Sequence, residues 1–185
     1  NNADRALNIL RTHDDNCGTT RLISRGMSNE NYSFAVTVAR NAGQWLVRSF
    51  NDDFEDPQTS INAVRSLRSE GAAFALLCVE DAYFIAVRPV PGGVKMLISD
   101  ATYGVDDDFA ADFMDINDHE IPDVDPEEAD PYGEGDFGIF ADLGLSEDQV
   151  GYIIDNDEDW PSDMLLRIAG ELGFGDELED VIDNA

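Results

Sequence analysis

The chain has 185 residues, 43% of them apolar and 28% charged, with 40 Asp and Glu against 11 Lys and Arg for a formal net charge of −29. That length suits one domain, or one domain with a small appendage, and the composition allows a core of modest size. Direct binding to a nucleic-acid backbone, which needs clustered Lys and Arg, is disfavoured by so acidic a composition (Lys95 is the sole lysine), and no apolar run approaches the roughly 18 residues of a membrane-spanning helix.

Residues 1–26 are polar and mixed in charge, carrying Arg5, Arg11, Arg21 and Arg25, and Met27 follows them directly. They read as an N-terminal extension to a body that begins near Met27, and they lack the basic stretch, apolar stretch and small-residue cleavage site of a secretory signal. Tyr32 to Phe50 reads as a β-hairpin. Phe34, Val36 and Val38 alternate with Ala35, Thr37 and Ala39, the turn is Asn41-Ala42-Gly43, and the return strand carries Trp45, Val47 and Ser49 on one face. A helix follows, with Asp56 as N-cap and Pro57 at its first position, where a missing N–H costs little. Its buried stripe is Ile61, Val64 and Leu67, joined by Phe54; Arg65 and Arg68 face outward, and Gly71 is the expected stop.

Three further strands come next. Ala72 to Val79 is nearly continuous in apolar residues, as a central strand covered on both faces should be. Glu80-Asp81 makes a turn, Tyr83 to Val87 is the second strand, Pro91-Gly92-Gly93 turns again, and Val94 to Ser99 is the third. The β-β-α-β-β-β order predicts an α+β domain over residues 27–114, an antiparallel five-stranded sheet packed on a helix. With helices at Ala3 to Arg11 and Asp107 to Asp115, the order resembles roadblock-like or profilin-like folds, a likeness of topology that implies no function.

The charge is split near residue 100. Residues 1–100 hold 12 acids and 10 bases, a net of −2; residues 101–185 hold 28 acids and one base, Arg167, a net of −27. Charge confined to one half points to a local role, whether solvation, an acidic connection, or docking to a basic partner. Asp115 to Asp136 is rich in Asp, Glu, Pro and Gly and predicts an extended acidic linker, assigned to residues 115–140. Residues 141–185 predict a helical segment. Ser146 and Gln149 match a capping box, Trp160-Pro161-Ser162 opens a helix with the stripe Met164, Leu165, Ile168 and Leu172, and Gly173 closes it. Asp176 is the expected cap of a last helix bearing Leu178, Val181 and Ile182.

Candidate chemistry is sparse. His13 and His119 lie far apart, no C-x-x-C exists, and His119-Glu120 lacks the second half of a zinc signature, so no zinc site is expected. Asp155, Asp157 and Asp159 alternate as at the start of a calcium loop, but Trp160 stands where the turn needs Gly and Leu166 where the loop needs Glu. Cys17 and Cys78 sit in unlike surroundings, so a disulfide between them is not expected. Cys78, between Leu77 and Val79, reads as an inert core thiol. No G-x-S-x-G is present, and Gly133-Glu134-Gly135 is not followed by the Lys of a phosphate loop. Trp45 reads as core or exposed sheet face, and Trp160 as a hydrophobic staple at a helix start.

The stretches YSFAVTVARNAGQWLVRSF, RSEGAAFALL, YFIAVRPVPGGVKMLISDA and WPSDMLLRIAGELGFGDELEDVI, set around an acidic centre, resemble the actinobacterial tRNA adenosine deaminase-associated proteins. The resemblance spans roughly Asn31 to Asp183 and is most specific at Met96 to Ala101 and at Gly173 to Val181. It implies association with the enzyme that converts adenosine to inosine at the tRNA wobble position and supplies no catalytic residue. The deaminase pairing of H-x-E with P-C-x-x-C is absent from this chain.

The resulting expectation is a noncatalytic, cytoplasmic accessory protein without cofactor or metal, binding tRNA adenosine deaminase or another basic protein. Its expected docking residues are Asp106, Asp107, Asp108, Asp155, Asp157, Asp159 and Trp160. Two rival readings are an acidic nucleic-acid mimic that sequesters a basic protein and an enzyme using carboxylate-bound Mg²⁺.

Overall fold

A computed structural model describes residues 33–156 and 158–183 of the protein. The expected extension over 1–26, its helix at Ala3 to Arg11, His13, Cys17 and Asp157 lie outside these residues. Six strands form one antiparallel sheet in the order β2-β1-β3-β4-β5-β6. They are β1 (Phe34–Asn41), β2 (Gln44–Ser49), β3 (Ala73–Val79), β4 (Tyr83–Val90), β5 (Gly93–Ile98) and β6 (Glu134–Gly135). Among the described residues five α-helices accompany them: α1 (Pro57–Ser66), α2 (Asp108–Ile116), α3 (Glu147–Ile154), α4 (Pro161–Leu172) and α5 (Gly175–Asp183). The α+β class is as expected. Among the described residues no helix is long and apolar enough to cross a membrane.

The sixth strand comes from the stretch expected to be a linker. Glu134 and Gly135 pair with Ile98 and Leu97, Asp136 N–H donates to Met96 O at 2.8 Å, and Ile139 and Phe140 are fully buried. Gly135 makes this possible: its φ is 118°, and a Cβ there would lie 2.3 Å from Met96 O.

Strand alternation divides the interior into two layers. Val36, Val38, Phe74, Phe84 and Leu97 face α3, α4 and α5, where Leu165, Ile168 and Phe174 meet them. Leu77, Ile85, Val87 and Ile98 face α1 and α2, against Ile61, Val64 and Phe113. Helices on both faces explain why β3 is apolar at successive positions. Trp45 belongs to the first layer, its ring 4.9 Å from Phe174, with the Arg40 guanidinium 5.3 Å above it.

Two hairpins turn on residue pairs with positive φ, the geometry that matches strand twist. Ala42-Gly43 does so at 52° and 79°, and Glu80-Asp81 at 54° and 50°. The expected caps Asp56, with Pro57, and Ser146, paired reciprocally with Gln149, are in place. Gly173 closes α4 in the left-handed conformation. At the end of α1 the left-handed residue is Arg68, with φ 49°, and not Gly71. Gly71 is instead required by close approach, since a Cβ there would sit 1.9 Å from Arg40 O. α5 begins at Gly175, which places Asp176 in its first turn rather than at a cap. Trp160 is the N-cap residue of α4, one place after the N′ site of a staple, and that N′ site is Asp159, which ion-pairs with Arg167. The Trp160 side chain supplies no cap bond. Asp81, in the β3–β4 turn, does so from across the fold, its Oδ1 accepting from Ser162 N at 2.9 Å.

Candidate protein-docking surface

Antiparallel register gives the sheet two distinct ends. The β3–β4 turn defines one. From it, Tyr83 opens β4, buried, and its hydroxyl donates to Asp107 Oδ2 at 2.8 Å. Asp107 is at the same time the N-cap of α2, its Oδ1 accepting from Phe109 N at 2.9 Å and Ala110 N at 3.3 Å. The Tyr103 ring leans on that of Tyr83, 4.9 Å between centroids. Burial, then the charge of Asp107, holds the Tyr83 phenol well above its ordinary pKa. Burial, then Asp100, Glu80 and Asp107, raises that of Tyr103. Both are therefore kept as neutral hydroxyls among carboxylates.

The same end gathers chain from much further along. Ala101 N–H donates to Tyr132 O at 2.8 Å, and a Cβ at Gly133 would meet Ile154 Cγ2 at 3.1 Å, which places the C-terminus of α3 alongside. The bond from Ser162 N to Asp81 sets the start of α4 on the turn itself. Asp106 to Asp108, on the α2 face, and Asp155, Asp159 and Trp160, on the other face, are thus brought to one end of the molecule. Asp157 is outside the described residues.

The expected docking residues differ in availability. Asp106, Asp108 and Asp155 are exposed. Asp107 is half-buried and engaged by Tyr83 and α2. Asp159 is held by Arg167, and Trp160 is half-buried. Sequence reasoning missed four contributors. Glu80, exposed, and Asp100, half-buried, belong to segments read only as turn and strand end. Tyr103 and Tyr132 had no periodic signal, lying in a 3-10 turn (Ala101–Val105) and an irregular loop. Beside them stand Val105 and Ile121, 37% and 47% exposed, and Tyr132 itself is 39% exposed.

Arg167 stands at this end, paired with Asp159; most other bases of the described residues lie elsewhere. Arg40, Arg65, Arg68, Arg88 and Lys95 cluster toward the opposite end, where the β1–β2 and β4–β5 turns and the C-terminus of α1 meet. Arg88 forms a two-pronged pair with Asp142 at 2.7 and 2.8 Å and donates to Ile139 O. That contact holds the Asp142 carboxyl below its ordinary pKa.

His119 contacts Glu134, Nδ1 to Oε1 3.3 Å, and so ties the acidic loop to β6. Cys78 is buried, its Sγ 3.7 Å from Asp81 Oδ1. Among the described residues no group of three or more His, Cys, Asp or Glu side chains is arranged to hold a metal ion.

A family model described as Rv3753c-like tRNA adenosine deaminase-associated protein matches residues 33–175. Protein Rv3753c of Mycobacterium tuberculosis (strain ATCC 25618 / H37Rv) is 44% identical over 154 residues, which cover 81% of this chain and 87% of that relative. No solved structure matches.

Proposed function

The chain belongs to the Rv3753c-like tRNA adenosine deaminase-associated protein family, and from that premise we propose that it is a noncatalytic accessory protein that binds a tRNA adenosine deaminase in the cytoplasm. The observation that carries this reading is the gathering of Glu80, Asp100, Asp106, Asp108 and Asp155 at one end of the fold. An enzyme that binds tRNA must offer the RNA backbone a basic surface. An acidic end complements such a surface, speeds encounter and disfavours wrong partners of like charge.

The test is co-purification of the full chain with the deaminase of the same organism at about 50 mM and then about 500 mM salt, a range over which exposed charges become strongly screened. Retention at low salt with release at high salt is the expected result. Absence of retention at low salt overturns the reading. Adding tRNA to the same assay separates docking beside the RNA groove, where the complex persists, from occupation of the groove, where tRNA displaces the chain.

A further inference from the structure

We propose that the acidic end has an apolar centre, formed by Tyr103, Val105, Ile121 and Tyr132, that seats an aliphatic or aromatic side chain of a basic protein partner while Glu80, Asp106 and Asp108 receive flanking Lys or Arg. This rests on the accessory-protein reading above and adds to it the site of contact.

Single exposed apolar residues are ordinary; here the exposed Val105, Ile121 and Tyr132 lie on segments that meet around the half-buried Tyr103. Ile121 lies on Gly104, where a Cβ would be 3.7 Å from Ile121 Cγ2 and 2.8 Å from Met114 Sδ, so the loop closes directly over the 3-10 turn that bears Tyr103 and Val105. Tyr132 is joined to that turn through Ala101. The loop between them is fastened at its start by His119, whose N–H donates to Met114 O at 2.9 Å, and at its end by β6. The group is therefore held in place before any partner arrives, which lowers the ordering cost of binding. Tyrosine with aliphatic neighbours inside a charged rim is the composition of an interface centre.

Glu80 adds a second line of argument. Both residues of the β3–β4 turn adopt positive φ, a conformation that costs an ordinary side chain about 1 kcal/mol and favours Gly, Asn or Asp. Asp81 is accounted for by its bond to Ser162 N. The Glu80 carboxylate is exposed and has no hydrogen bond or ion pair among the described residues. Among the described residues nothing engages this carboxylate, which leaves it available to a basic partner. The acidic rim also selects the occupant, because an acidic segment or an RNA strand would meet like charge.

The experiment is a calorimetric titration of the deaminase with the full chain and with two variants, the double substitution Val105→Ser with Tyr132→Ala and the single substitution Glu80→Asn. The double variant is expected to keep its thermal midpoint within a few degrees and to bind about tenfold more weakly or worse. Glu80→Asn is expected to raise the midpoint, by easing the turn, and yet to weaken binding. Binding by the wild-type chain with undiminished affinity in both variants overturns the docking centre and leaves the accessory role standing. Failure of the wild-type chain to bind overturns the accessory role, and the docking centre with it. Capture of tRNA alone, lost in the same variants, overturns the choice of a basic protein as occupant.

Discussion

Tyr83 ties three parts of the molecule through one oxygen. Its ring is buried among β3, β4 and α2, its hydroxyl bonds to Asp107, and Asp107 in turn caps α2. A hydrogen bond to a charged acceptor contributes about 1.5–3 kcal/mol, so Tyr83→Phe should lower unfolding stability by roughly that amount at neutral pH. The same arrangement predicts alkaline sensitivity. The folded phenol is held above its ordinary value of 10.0 by burial and by Asp107, so the folded state keeps a proton that the unfolded chain releases. The stabilisation is complete below about pH 10 and is lost as pH rises beyond it. The effect should be readable because arginines do not titrate in this range and Lys95 is the sole lysine. Urea midpoints measured at about pH 8 and about pH 11 should fall less steeply for Tyr83→Phe than for the wild type, with Tyr103 and Tyr132, also raised, contributing to what remains. Equal slopes would remove Tyr83 from the account.

At the scale of the element, α4 depends on a residue 81 positions away in sequence. Trp160 offers no cap, and the first turn of the helix is satisfied by Asp81. Asp81→Ala should cost about 1–2 kcal/mol from the lost cap and about 1 kcal/mol more from alanine at positive φ. Asp81→Asn, which keeps an acceptor and tolerates that φ, should lose markedly less. Equal urea midpoints for the two variants would show that the side-chain acceptor at position 81 is not what supports α4. The same distance explains what the sequence could and could not reveal. The caps at Asp56 and Ser146 and the stop at Gly173 were legible because every part of each motif lies within a few residues. The cap by Asp81 joins a turn to a helix with no local trace. β6 escaped because two residues, one of them glycine, carry no alternation, and their surroundings have the composition of a linker. Arg68 at the end of α1 escaped because nothing local marks an arginine for positive φ, and the glycine that did suggest a stop, Gly71, is required instead by its close approach to Arg40.

For the whole molecule, the charge split was legible as a count along the chain, but its placement was not. Asp106 to Asp108 and Asp155, Asp159 and Trp160 are brought to one end by contacts of Tyr132, Gly133 and Asp81, none of which announces a contact in the sequence. Bringing like charges together carries an energetic consequence of its own. With a net charge of −29, folding concentrates carboxylates that the unfolded chain spreads apart, and the compact state is destabilised by self-repulsion. Salt acts on two opposing contributions. It weakens the exposed pair Lys95–Asp136, worth at most about 1 kcal/mol, and to a lesser degree the partly buried pair Arg88–Asp142, and it relieves repulsion among the many exposed acids, whose interactions fade beyond the ~10 Å Debye length at 0.1 M. Relief should dominate. Raising NaCl from about 20 mM to about 500 mM should therefore raise the thermal midpoint, by about 2–4 °C for each 1 kcal/mol of repulsion removed. Asp106→Asn with Asp108→Asn should already melt higher at low salt and gain less from added salt. This dependence has the opposite sign to that of partner binding, which salt should weaken, so the two are separable in one buffer series. A midpoint that stays level or falls with salt would mean that the acidic end is relaxed in the folded protein, and that its carboxylates lie further apart than this fold places them.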